Sequence, residues 1–176
     1  SGTFWLSPTP DEPSRGWDAA LPRIATWVRL RDTLAGTDLF VFNTHFDHMG
    51  VRARENSAAL LRVKVRAIAG DAPFVLAGDF NTGDRDSCYR ILTSRDGAPP
   101  FFHDAMHRSI LPPAGPRVTY TGFPFTSSEQ QDRIDFIFVN DATRVRRHIT
   151  LDARRRPGYI SDHLPVMADI IVHGRM

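Results

Sequence analysis

From Ile24 the chain alternates. Ile24, Thr26, Val28 and Leu30 fall on one side and Trp27 and Arg29 on the other, the period of a half-buried strand. A turn around Gly36 leads into Leu39-Phe40-Val41-Phe42, a continuous apolar run of the kind a central strand buried on both faces presents. Arg52 to Ile68 reads as a helix, with Ala58, Leu61, Val65 and Ile68 on its apolar face and its arginines mostly toward water. Phe74-Val75-Leu76-Ala77 is the next buried strand, so strand, helix and strand form a parallel, right-handed crossover unit. Asp86 is placed to cap a short helix running through Leu92. Residues 1–22, broken by Pro8, Pro10, Pro13 and Pro22, read as irregular, and 94–127 mainly as loops. Three later strands are expected over Ile134–Val139, Val145–Leu151 and Val166–Val172. With no internal repeat, the pattern describes one α/β domain over residues 1–176, built on a mixed sheet.

Composition narrows the class. A chain of 176 residues buries roughly 70% of its unfolded surface, enough for a real core. No run of about 18 apolar residues is present, so no helical membrane span is expected. Ser1 to Ser7 have neither a basic n-region nor an apolar h-region, and the sequence fits a cytoplasmic and a secreted protein equally well. The single cysteine, Cys88, excludes an internal disulfide and a cysteine-based metal site, and its spacing to Ile91 and Leu92 suits a packed thiol. The formal charge is only +2, yet Lys64 is the sole lysine, and arginines cluster at 144, 146 and 147 and at 154, 155 and 156. Such clusters suit polyanion binding, although a solvated hairpin accounts for them as well.

Four short segments put polar residues at strand ends: Asn43-Thr44-His45, Gly78-Asp79-Phe80-Asn81, Arg133-Ile134-Asp135 and Ser161-Asp162-His163. The first two follow their strands and the last two precede or open theirs. If the late strands run antiparallel to the early ones, all four meet on one edge of the sheet, as catalytic groups often do. Asp135 shares a face with Ile137 and Val139 in an otherwise apolar strand, where an ionised carboxylate needs a partner. A histidine would serve, since a carboxylate fixes its tautomer, and His163 is the candidate. Asp79 and Asn81 flank Phe80, so strand alternation would point both polar groups one way and leave Phe80 in the core. The same residues also favour a plain turn.

Taken in order and spacing, these four segments, the third extended through Phe136-Ile137-Phe138 and the fourth through Leu164-Pro165-Val166, resemble the endonuclease/exonuclease/phosphatase superfamily, which has the DNase I-like fold. The resemblance runs from about Arg23 to Ile171, while Gly2 to Ser7 and Gly16-Trp17-Asp18 resemble a bacterial subgroup of it. It implies a mixed-sheet α/β sandwich and in-line hydrolysis of a phosphodiester or phosphomonoester with Mg²⁺, Mn²⁺ being a possible substitute. The substrate would be a nucleic acid, a phospholipid head group or a small phosphate ester. By the same resemblance Asp162 is a metal ligand, and His163, backed by Asp135, acts at the phosphorus centre. Asp79 orients or deprotonates the water, while Asn81 and His45 contact phosphoryl oxygens. His48 and Arg23 are candidate substrate-binding residues.

Members of this superfamily also carry an early strand ending in asparagine and a Gln-Glu whose glutamate is a principal metal ligand. Neither has a match here, since Glu12, Glu55 and Glu129 lie in other contexts. The expectation is therefore a carboxy-terminal portion of the domain, poorly active alone. Its apolar sheet face would be open for a separate amino-terminal half or a second copy. Two rival readings stand beside this one. A non-catalytic half-domain would explain the missing ligands but not the retained Asp79, Asn81, Asp135, Asp162 and His163. A zinc hydrolase using His45, Asp47 and His48 lacks the two-histidine step that should precede the aspartate, leaving too few ligands. Trp5, Trp17, Tyr120, Phe123 and Phe125 could stack on a substrate, with core packing as the plainer role.

Overall fold

A computed structural model of the chain describes residues 1–34, 36–94, 101–122, 133–152, 154–155 and 158–172, with side chains outside 153–159. Its elements in chain order are β1 (Gly2–Trp5), β2 (Ile24–Asp32), β3 (Thr37–His45), α1 (Val51–Ala69), β4 (Phe74–Asp79), α2 (Ser87–Thr93), β5 (His103–Asp104), α3 (Ala105–Arg108), β6 (Asp135–Val139), β7 (Thr143–Thr150), β8 (Arg154–Arg155), β9 (Gly158–Tyr159) and β10 (Val166–Val172). Six strands form one sheet in the order β1-β2-β3-β4-β6-β5. β3 and β4 are parallel, joined through α1, and the other pairings are antiparallel, so the sheet is mixed as expected. β7 pairs with β10, and β8 with β9, in separate two-stranded sheets.

Strand alternation sorts the core. Phe40 and Phe42 of β3, Phe74 and Leu76 of β4, and Phe136 and Phe138 of β6 share one face, which packs beneath Ala58, Leu61 and Val65 of α1. Each such side chain contributes about 1.5–3 kcal/mol when fully buried. Cys88 and Leu92 of α2 extend this layer, and burial pushes the Cys88 thiol up to about 12, the inert packed thiol expected. On the opposite face Ile137 and Val139 pack with Ala105, Val145, Val166, Ala168 and Ile170. The β7–β10 pair thus covers the β4–β6 end of that face. At the other end Ile24 and Leu30 stay 37% and 47% exposed, and Leu39 and Val41 are only half-buried. The expectation that Leu39 to Phe42 is buried on both faces is therefore met on one face only.

Other details depart from the pattern. Gly2–Trp5 is not irregular but pairs with Ile24–Trp27, and β5 and α3 interrupt the segment expected as loop. Asp86 sits at the start of α2 without capping it: its carboxylate accepts from Thr82 Oγ1 and Gly83 N instead. The start of α1 is capped from a distance. Gly50 has no side chain to offer, and Asp18 accepts from Ala53 N at 2.6 Å and Arg52 N at 3.3 Å. Among the described residues no helix is long and apolar enough to cross a membrane. Arg144, Arg146 and Arg147 of β7 are exposed, as a solvated strand would have them, and Arg146 pairs with Asp169 at 3.2 Å.

Candidate active site

Strand register assembles the site. Parallel pairing of β3 with β4 sets His45 opposite Asp79, and antiparallel pairing of β4 with β6 sets Asp79 opposite Asp135. This alignment needs Gly78, because a Cβ there would stand 1.9 Å from the Thr44 carbonyl oxygen. His163 comes from the loop before β10, held by Leu164 N donating to Thr119 O at 2.7 Å. Its Nδ1 lies 2.8 Å from Asp135 Oδ2. Its Nε2 lies 3.9 Å from Asp79 Oδ2, and His45 Nε2 lies 3.3 Å from that same oxygen. The four groups form a continuous row across three strands and one loop. Asp79, Asp135 and His163 of this row line a cleft of about 350 Å³ together with Ser161.

Asp79 and Asp135 are fixed from behind. The Thr119 hydroxyl accepts from the N–H groups of Ile134 and Asp135, both at 3.0 Å. Asn81 takes a left-handed backbone (φ 48°), which asparagine tolerates better than most residues. Its amide N–H donates to Asp79 Oδ1 at 2.8 Å, and its Nδ2 donates to the Phe46 carbonyl at 3.0 Å. The turn and the site are the same object. Phe80 between them is fully buried, with rings of Phe46 and Phe138 at 4.9 and 5.2 Å.

The electrostatics separate the row into acids and bases. For His163 partial burial opposes the charged ring, but the hydrogen bond to Asp135 and the charges of Asp135, Asp79 and Asp162 outweigh it and raise its pKa. Asp79 is raised by burial, with the Asp135 charge adding to it. His45 is lowered, first by burial and then by the Arg23 charge. A partly buried row thus favours the protonated form of His163 and makes Asp79 a stronger base than an ordinary carboxylate.

Asp79, Asp135 and His163 offer ligand atoms within 4.8 Å of one another, the metal-capable group found among the described residues. The two carboxylates suit a hard divalent cation such as Mg²⁺ or Mn²⁺ with water completing its shell, and the imidazole would join them only in its unprotonated form. The Asp162 carboxylate stands outside this group. It meets the Ser161 hydroxyl at 3.4 Å, and its backbone carbonyl accepts from Thr121 and Gly122. Asp47 is 2% exposed, and its carboxylate is taken by the N–H groups of Ala20, Leu21, Met49 and Gly50. Asp47 is therefore not free to complete a zinc site with His45 and His48. Arg23 and His48 do meet, with Arg23 Nη2 at 3.2 Å from His48 Nδ1.

Tyr120 stands beside the site, 43% exposed, its ring 5.1 Å from that of His163. Phe123 and Phe125 lie outside the described residues. Thr119 escapes sequence reasoning, and Asp47 enters it only beside His45 and His48 in the zinc reading. Their main partners are backbone amides, which leave no side-chain signature.

The family model described as "Endonuclease/Exonuclease/phosphatase family" matches residues 8–163. A mannosyl-6-phosphatase of Bacteroides thetaiotaomicron is 33% identical with a TM-score of 0.86, the match covering 97% of this chain and 65% of that one. An endonuclease/exonuclease/phosphatase from Bacteroides vulgatus is 35% identical with a TM-score of 0.88, covering 98% and 64%. An uncharacterized protein of Acanthamoeba polyphaga mimivirus is 33% identical over 84 residues, 46% of this chain and 31% of the viral protein. The chain therefore spans just under two thirds of those two structures and less than a third of the viral relative.

Proposed function

Because the chain belongs to the endonuclease/exonuclease/phosphatase family, we propose that it hydrolyses a phosphoester by in-line attack of water at phosphorus. The observation that carries this reading is the His163–Asp135 hydrogen bond set 3.9 Å from Asp79, a proton donor and a base side by side. Asp79, with its raised pKa, orients the water and accepts its proton. His163, whose protonated form Asp135 favours, donates at the oxygen where charge develops. His45, favoured in its neutral form, and the second N–H of the Asn81 carboxamide donate to phosphoryl oxygens. A divalent cation, Mg²⁺ or Mn²⁺, would be held by Asp162, the ligand that the family resemblance implies and whose carboxylate stands apart from the Asp79–Asp135–His163 group, and would withdraw charge from the phosphoryl group. Similarity to the mannosyl-6-phosphatase supports a phosphomonoester among the substrates.

The test is hydrolysis of p-nitrophenyl phosphate and bis-p-nitrophenyl phosphate by the full gene product carrying this chain, with Mg²⁺, Mn²⁺ or EDTA. His163→Ala should lower kcat by about 10²–10⁴-fold on whichever ester is cut. Turnover that persists at the parent rate in this variant would sink the reading.

A further inference from the structure

Beside the row, the loop after β3 holds a second set of contacts that the proposed chemistry leaves unused. Asp47, locked by four backbone N–H groups at 2.7–3.1 Å, is a fixed negative charge. Arg23, whose side chain is only 14% exposed, brings Nε to 3.6 Å from Asp47 Oδ2. That is an ion pair, too long for a hydrogen bond, and the buried Nε has no hydrogen-bond partner among the described residues. The far end of the same guanidinium reaches His48 Nδ1 at 3.2 Å. A guanidinium can only donate, so His48 Nδ1 accepts and the ring proton sits on Nε2. Since His48 is exposed, that Nε2–H is available to an external acceptor.

We propose that Arg23 and His48 read the terminal oxygens of a phosphomonoester, with Asp47 as the positioning residue behind them. This rests on the phosphoester reading of the His45–Asp79–Asp135–His163 row. That row is rich in carboxylates and by itself does not favour a dianion over a monoanion. A terminal phosphate carries about −1.5 to −2 charge at neutral pH, whereas a diester carries one negative charge. A nearly buried guanidinium on the His45 side is poorly screened, and its charge is felt at His45. His48 adds one donor whose direction of donation Arg23 fixes. Fixed positive charge and one oriented N–H favour the group with the extra charge and the extra terminal oxygen.

The experiment uses the full chain labelled with ¹⁵N-histidine, metal-free, titrated with inorganic phosphate and separately with dimethyl phosphate. In the unliganded protein the His48 signals should show Nε2 protonated and Nδ1 accepting. Phosphate should shift both His48 and His163, and dimethyl phosphate should bind about tenfold more weakly. Arg23→Gln should bring phosphate down to the level of dimethyl phosphate and let His48 populate its other tautomer. His48→Phe, at an exposed position, gives the same loss of preference if Arg23→Gln fails to fold. An unchanged His48 tautomer and unchanged phosphate preference in these variants would overturn the proposal. Response of His163 without response of His48 overturns it alone, and no response of His163 to either anion overturns the phosphoester reading together with it.

Discussion

Asp135 Oδ2 and His163 Nδ1 lie 2.8 Å apart, joining residues 28 positions apart in sequence. A carboxylate in this position fixes the imidazole tautomer and stabilises its charged form. In metal-free buffer Asp135→Asn should therefore lower the His163 pKa, because the burial that opposes the charge remains while the hydrogen bond and charge of Asp135 are lost. The ring C–H resonance of His163 followed against pH reports it. A midpoint that stays or rises would show that Asp135 does not hold the proton there.

The same pair makes a statement about stability. His163 has a raised pKa in the folded protein, so the folded state binds its proton more tightly than the unfolded state. The sign follows: this stabilisation is full below the unfolded value, about 6.5, and is lost as pH rises through the folded value. Urea unfolding without metal should show the parent's advantage over His163→Gln shrinking as pH rises from about 6. An advantage that grows over that range contradicts the assignment.

Gly78→Ala tests the register that aligns the row. The added methyl would lie 1.9 Å from Thr44 O and 2.9 Å from Thr44 C, backbone atoms that cannot swing aside. The β3–β4 pairing must shift where His45 faces Asp79. The expected loss is about 1–3 kcal/mol or more, read as a lower denaturant midpoint. A variant as stable as the parent would mean that the two strands are not packed this closely.

How much of this arrangement the sequence reveals depends on which interactions shape it. Apolar runs reveal β3, α1 and β4 because alternation and helical period are local properties of side chains. Asp135 stands out because a carboxylate in the run Phe136-Ile137-Phe138 is costly without a partner, and the partner is present. β1 stays hidden because four residues before a proline-rich stretch carry too little pattern, and only its pairing with Ile24–Trp27 makes it a strand. Asp86 offers the signal of a helix cap, but the nearby Thr82 hydroxyl and Gly83 amide compete for its carboxylate. Ile24 and Leu30 read as the buried side of β2, yet the small Ala25 and the broad Trp27 face the helix layer instead. Period alone does not say which face meets the core.

Arg133 shows a cost that the row depends on indirectly. Two residues before Asp135, it is 7% exposed and grips the equally buried Asp104 through Nη1 at 3.1 Å and Nη2 at 2.6 Å. Tyr89 and the Met106 amide also donate to that carboxylate. Arg133→Met leaves Asp104 charged and buried, and should destabilise the protein by about 3–5 kcal/mol. Arg133→Met combined with Asp104→Leu should recover much of that loss. Thermal unfolding of the single and double variants decides it, and equal losses in both would mean that the pair itself, not the stranded charge, supplies the stability.

Asp47 gives the opposite pH sign from His163. Burial works to raise its pKa, but the N–H groups of Gly50, Ala20, Leu21 and Met49 overcome that and hold the carboxyl well below the usual carboxylate range. The folded state thus binds this proton less tightly than the unfolded one. Its stabilisation is present above the unfolded value, about 3.9, and is lost as pH falls toward the folded value. Asp47→Asn keeps the shape but turns an NH₂ toward amides that need an acceptor, and should cost about 1–3 kcal/mol at neutral pH. Urea unfolding at a series of pH values should show that cost shrinking below about pH 4. If it holds steady to strong acid, the charge is not what ties Ala20 and Leu21 to the start of α1. Arg23 would then lack the fixed anchor that sets its distance from His48.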